Sequence, residues 1–190
     1  ELLPIIQAKK AGLPVTCGVT PHHLFLTNAD EKLLGNYGLM KPSLKPKSDQ
    51  DFLWKNLKYI DVFESDHAPH THGEKAEGAF GVPGLETTLP LLLQAELEGR
   101  ISRKDIVKKC STNPRKIIGL NEDSTSFIEV KLESYKLTND QLKTKCGWSP
   151  FNGRMVFGRV SKVVLRDKTV FKDSEVLAKS GEGNIILKTF

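Results

Sequence analysis

The chain has 190 residues, 38% of them apolar and 27% charged, with a net charge of +5 at neutral pH, which is the balance of a soluble globular protein and argues against a disordered chain. Its longest apolar runs, such as TLPLLLQA, fall far short of the roughly 20 residues a membrane helix needs, and no charged-then-apolar leader opens it, so no membrane contact and a cytoplasmic setting are expected. Three cysteines without CxxC spacing argue against a disulfide framework or a cysteine-based zinc module, while the scattered basic residues of KPSLKPK and RKDIVKK, with no interleaved aromatics, describe a solvated surface and no nucleic-acid partner.

ELLPIIQAKKAG places apolar residues at 2, 3, 5, 6 and 8 and ends on Gly12, which predicts an amphipathic helix with a glycine cap. LPVTCGV predicts a short buried strand, and TPHHLFLTNADEKLLGNYGLMKPSLKPK, with little periodicity, a long loop. SDQDFLWKNLKY reads as a helix capped by Ser48, with acids in its first turn and Phe52, Leu53, Trp54 and Leu57 as its apolar residues. The strand YIDVF delivers ESDHAPHT, and HGEKAEGAFGVPG follows as a loop punctuated by glycine and proline. LETTLPLLLQAELEG predicts a helix interrupted or bent near Pro90. Helix, strand, loop, helix, strand, loop, helix is the order of a parallel α/β protein, whose active residues gather on loops at the carboxyl ends of strands.

SRKDIVKKCSTNPRKIIGL predicts a short helical pair broken at Asn113-Pro114. From Ser126 the pattern changes: SFIEVKLE, RMVFGRVSKVVLR and TVFKDSEVL are alternating or β-branched runs joined by turn residues, the mark of a small antiparallel module. The expected division is residues 1–121 as an α/β part, 126–178 as β-strands, and 179–190, around KSGEGN, as a linker or tail.

All five histidines fall between positions 22 and 72, the clustering a site would produce. His22 and His23, if they lie on a strand, point to opposite faces, so one of them can serve the core. Asp66 lies just past a buried strand, where a carboxylate can bind a cation and also accept a proton. His70 is placed to meet the same cavity from the loop. His67 and His70, three apart around Ala68-Pro69, cannot form an HExxH pair. The structural alternative is that Asp66 caps a turn and His70 faces solvent.

LPVTCGVTPHHLFL, KPSL, SDHAPHT, GVPGLETTLPLLL and STNPRKIIGL together resemble the carboxyl-terminal half of a dihydroorotase, a member of the amidohydrolase superfamily, in particular the dihydroorotase domain of the large multifunctional pyrimidine-synthesis proteins of eukaryotes. The resemblance is specific to about Leu120; beyond it, WSPFNGRMVFGRVSKVVLR looks like the β-sandwich strands that amidohydrolases pack beside their barrel. It implies a (β/α)8 barrel with a Zn2+ centre, in which carbamoyl aspartate closes reversibly to dihydroorotate. Asp66 then matches the aspartate after the eighth strand that binds the more exposed metal and moves the proton to and from the substrate nitrogen. His70 matches the histidine that grips the substrate carboxylate, and Pro83 and Gly84 match a loop against the substrate ring. A homo-oligomer and further domains on the same polypeptide are also implied.

Two departures stand out. In animal versions of this domain the position of Gly18 is a glutamate near the metals, and that of Lys41 an arginine that contacts the substrate carboxylate. Glycine cannot ligate through a side chain, and lysine lacks the planar fork of arginine. The other family ligands, an HxH pair, a carboxylated lysine and two more histidines, belong to earlier strands. Because a barrel needs about 250 residues, the chain is expected to be part of a larger domain and silent alone. The competing expectation is an inactive dihydroorotase-like structural domain of a fungal-type multifunctional protein; an independent metal-binding or adaptor module leaves the motif order unexplained.

Overall fold

The structure, a computed structural model, describes residues 2–121 and 123–183. Helix α1 (Leu2–Lys10) turns Leu2 and Ile6 inward and carries Lys9 and Lys10 in its last turn, where cations suit the exposed carbonyls. It ends through Gly12, at φ 78, while the Leu13 amide reaches back to the Ala8 carbonyl at 3.0 Å. Strand β1 (Gly18–Val19) is shorter than LPVTCGV suggests, because only these two residues pair with β2 (Val62–Phe63); the pairing is parallel, Gly18 facing Val62 and Val19 facing Phe63.

Residues 20–47 do not form the expected long loop. They contain α2 (Pro21–Phe25) and α3 (Asn28–Leu34). Thr20 caps α2 by accepting from the His23 amide at 3.3 Å, with Pro21 at the first helical position. Thr27 and Asp30 form a reciprocal capping box on α3. Each helix is shorter than two turns, too brief to show a 3.6-residue period, and His22 and His23 consequently share a helix rather than a strand. Helix α4 (Lys47–Lys55) starts with Pro46 as N-cap, so Ser48 falls inside the first turn and is not the cap.

After β2, part of the glycine and proline loop folds into α5 (His72–Ala76), again opened by a capping box, here Thr71 with Glu74. Helix α6 (Leu85–Leu97) runs unbroken through Pro90 and buries Leu91, Leu92, Leu93 and Ala95. The missing Pro90 amide removes a single helical bond, and the burial of this face outweighs it. The predicted break at Asn113-Pro114 is absent as well. A π turn over Lys108–Thr112 joins α7 (Arg103–Val107) to α8 (Asn113–Ile118), and its wider loop accommodates the proline ring. That turn aims buried Lys109 at the carbonyls of Leu57 and Ile60, and Asn113 Nδ2 at the Asp61 carbonyl, which ties the helix to the start of β2.

The later residues make one antiparallel sheet in the order β3 (Phe127–Lys136), β4 (Met155–Leu165), β5 (Lys168–Lys172), β6 (Glu175–Val176). Arg166 and Asp167, at φ 50 and 61, form the tight turn between β4 and β5. Strand β4 packs on α6 so closely that a Cβ at Gly158, itself at φ 83, would stand 2.4 Å from Leu93 Cδ1. The predicted tail lies outside the described residues from position 184 onward. Among the described residues no helix is long and apolar enough to cross a membrane.

Candidate active site

The parallel pairing of β1 and β2 brings the two chemically distinctive stretches, GVTPHH and ESDHAPH, side by side. Beside the strand ends opens a cleft of about 780 Å³, lined by Gly18, Thr20, His23, Pro42, Glu64 and Asp66 among others. Asp66 sits at φ 43, a left-handed conformation that costs a non-glycine residue energy and turns the chain sharply after β2. Its carboxylate is half exposed and lies 3.9 Å from His22 Nε2.

His22 is only 1% exposed, and its Nε2 is buried with no hydrogen-bond partner among the described residues. Burial, with His23 adding to the effect, pushes its imidazole down to about 3. The ring is neutral at ordinary pH, so the contact with Asp66 is no ion pair. Sequence reasoning left His22 and His23 undivided. The structure divides them, because His23 Nε2 donates to the Pro42 carbonyl at 2.9 Å while its Nδ1 meets Thr20 Oγ1 at 2.7 Å. His67 and His72 are also occupied: His67 Nδ1 accepts from the Gly84 and Leu85 amides at the start of α6, and His72 Nδ1 meets the Tyr37 hydroxyl at 2.7 Å.

The remaining predicted residues lie outside the lining of this cleft. His70 Nε2 donates to the Phe80 carbonyl at 2.9 Å, and its Nδ1 faces Glu74 Oε2 at 3.7 Å. Lys41 places its ammonium 4.3 Å above the Phe80 ring. Phe80 thus joins Lys41 and His70, although neither of them lines the cleft with Asp66. Pro83 and Gly84 are buried, in a strap that pairs with the Asp66 loop through a bridge between His67 and Val82. A Cβ at Gly84 would stand 2.3 Å from the Ser65 carbonyl oxygen, so only glycine lets the strap lie so close.

Lys75, which sequence reasoning also missed, holds that strap. It is fully buried and its Nζ donates to the carbonyls of Leu39, Ala79 and Gly81, which uses all three of its protons. Trp148, from the segment before β4, donates from Nε1 to the His70 carbonyl at 2.7 Å. No local period announces either residue; EK and WS are ordinary surface dipeptides until the chain closes around them.

The donor set suits one flank of a metal site. A neutral, buried imidazole nitrogen without a partner beside a carboxylate is the form in which both groups ligate. Among the described residues no three His, Cys, Asp or Glu side chains are grouped closely enough to hold an ion by themselves.

No family model matches the chain. It is 44% identical over 187 residues to the multifunctional protein CAD of Squalus acanthias, covering 96% of this chain and 8% of that protein. It is 40% identical over 181 residues to the dihydroorotase of Pyrococcus furiosus, covering 90% of this chain and 42% of the enzyme. The chain therefore spans less than half the length of these curated relatives. Among solved structures it resembles an L-hydantoinase (dihydropyrimidinase) from Arthrobacter aurescens, at 28% identity and a TM-score of 0.86 over 93% of this chain and 43% of the other. It also resembles the inactive dihydroorotase-like domain of the Chaetomium thermophilum CAD-like multifunctional protein, at 29% identity and a TM-score of 0.71 over 91% and 48% respectively.

Proposed function

We propose that the chain, 40% identical over 181 residues to a dihydroorotase, carries the Asp66 flank of a site that closes carbamoyl aspartate to dihydroorotate and reopens it, inside a (β/α)8 barrel completed by other residues of the same polypeptide. The observation that supports this best is the unpartnered His22 Nε2 at 3.9 Å from Asp66, at the mouth of the parallel β1 and β2 pair. Polar nitrogens are rarely buried without a partner unless a ligand completes them.

In this reading Asp66 and His22 would face a zinc ion, which supplies Lewis acidity toward the substrate carbonyl. Asp66, half exposed in the cleft, takes the proton from the substrate nitrogen in one direction and returns it in the other. His70 binds the substrate carboxylate. Its Nε2 proton is already given to the Phe80 carbonyl, which leaves Nδ1, 3.7 Å from Glu74 Oε2, as the nitrogen to meet that carboxylate. Lys41 adds positive charge beside it, and the strap with Pro83 and Gly84 shields the ring from water.

A second reading, an inactive domain kept for its structure, is favoured by the likeness to the inactive Chaetomium domain and by lysine at position 41. Turnover of carbamoyl aspartate by the complete polypeptide, measured with and without a chelator, separates the two. Chelator-sensitive cyclisation is expected; no turnover in either direction supports the structural role. In that case Lys41→Arg tests whether the missing bidentate fork is the defect, since it should then raise substrate binding.

A further inference from the structure

Trp148 belongs to the segment between β3 and β4, 78 positions from His70 in sequence, yet its indole Nε1 donates to the His70 carbonyl at 2.7 Å. The residue is 2% exposed. Its segment is fixed at two further points: the Lys143 and Thr144 amides each donate to the Glu86 carboxylate in the first turn of α6 at 2.8 Å, and the Ser149 amide donates to Asn139 Oδ1 at 3.0 Å. The Tyr37 ring packs at 79° to the indole with centroids 5.0 Å apart, and the Lys75 ammonium stands 5.6 Å from the indole centroid. A buried indole needs an acceptor for its N–H, and any carbonyl would serve. Here the acceptor is the peptide that carries the imidazole proposed to bind substrate.

The contacts continue from the indole to Lys41. Lys75 donates to the carbonyls of Leu39, Ala79 and Gly81, and the Gly81 amide donates to the same Leu39 carbonyl at 3.0 Å. The stretch that leads into Lys41 and the strap around Phe80 are therefore held as one piece. Gly81 in turn lies against the His70 loop, because a Cβ there would stand 2.7 Å from both the Ala68 Cβ and the Ala68 carbonyl oxygen and 3.3 Å from His70 Cδ2. Between them, Phe80 accepts the His70 Nε2 proton on its carbonyl and carries the Lys41 ammonium over its ring. His70 and Lys41 thus share one support, Phe80, whose two chain neighbours are bonded to Lys75. Trp148 holds the backbone of His70 while the strap holds its ring.

We infer that Trp148 is a positioning residue for the substrate carboxylate: its N–H fixes the backbone of His70, and its ring packs beside the Lys75 that fixes the strap and Lys41, so that imidazole and ammonium keep one spacing. The inference deepens the proposed site and rests on that reading; it concerns substrate binding and leaves proton transfer at Asp66 untouched. The test uses the complete polypeptide. Trp148→Phe keeps an aromatic ring beside Tyr37 and Lys75 and removes the donor. Dihydroorotate binding, measured by calorimetry, should weaken roughly fivefold, the effect of one lost hydrogen bond of ordinary strength, and KM should rise with it while kcat and its pH profile stay unchanged. Hydrogen exchange at the Ala68 and Gly81 amides, which are bonded to the Val82 and Leu39 carbonyls, should quicken while that of α6 does not. Replacing the Trp148 indole by benzothiophene, which fills its volume without an N–H, should give the same result and supplies a folded donor-free protein where phenylalanine packs too loosely. Phe151→Leu, at a buried position of the same segment, is the control and should lower the melting temperature without changing affinity. Unchanged dihydroorotate affinity or unchanged exchange in the folded donor-free protein would overturn the inference, as would a Phe151→Leu variant that loses affinity in step with stability, the pattern of packing alone. A wild type that binds no dihydroorotate is a separate outcome: it removes the proposed function, and this inference with it.

Discussion

Asp66 and Lys75 represent two ways a polar residue is used at a site. Asp66 is held strained at φ 43 with its carboxylate free, whereas Lys75 is buried with every proton committed. Lys75→Met should therefore leave the carbonyls of Leu39, Ala79 and Gly81 unsatisfied and cost about 3 kcal/mol in urea unfolding, since each orphaned buried acceptor costs ~1–3 kcal/mol before relaxation. A loss under about 1 kcal/mol would mean that water or the backbone replaces the ammonium at little cost. At this scale the sequence was legible only in part. The SDHAPHT string singles out Asp66 and His70, but nothing local separates His22 from His23, because the separation comes from Pro42, which is distant in sequence. The resemblance implies a carboxylate lost at Gly18; in the structure a Cβ there would lie 2.5 Å from Glu64 Oε1, a closeness between distant stretches that no single one of them encodes.

Among the elements, the long or strongly patterned ones were readable: α6 from its leucine run, β4 and β5 from their β-branched residues and the Arg166-Asp167 turn. The missed ones, α2, α3 and α5, are short and are set by caps, although TNAD and THGE carry the capping-box spacing that could have revealed α3 and α5. The seam between α6 and β4 depends on Gly158. Gly158→Ala should destabilise the chain by about 2 kcal/mol or more, from the contact with Leu93 and from the positive φ together; an unchanged unfolding midpoint would show that the sheet can shift away freely. The join before β3 is a second seam. Hydrogen bonds from Ser126 and Thr125 pull the Asp123 carboxyl down to about 2. Its folded value lies below the unfolded one, so its contribution to stability is present above about pH 4 and disappears as pH falls toward 2. Acid unfolding curves of wild type and Asp123→Asn should converge across that window and separate above it; parallel curves throughout would remove Asp123 from the account.

At the scale of the molecule, two parallel strands cannot enclose a site, and the cleft beside them is lined on one flank by the catalytic candidates and on another by apolar residues of α1 and α4 such as Ile5 and Leu53. The chain spans 42% of the Pyrococcus furiosus enzyme, and the proposed barrel needs ligands that these residues do not supply. By itself the chain should hydrolyse no dihydroorotate, and chelator-sensitive hydrolysis by it would show that its own residues suffice. The central claim is that Asp66 moves the proton at the substrate nitrogen. It is tested most directly by Asp66→Asn in the complete polypeptide, with cyclisation and hydrolysis rates measured beside metal content and melting temperature. The predicted result is a folded protein whose rates fall on the order of 10²-fold or more in both directions, as for removal of a positioned acid/base group. Near-normal rates in both directions would contradict it.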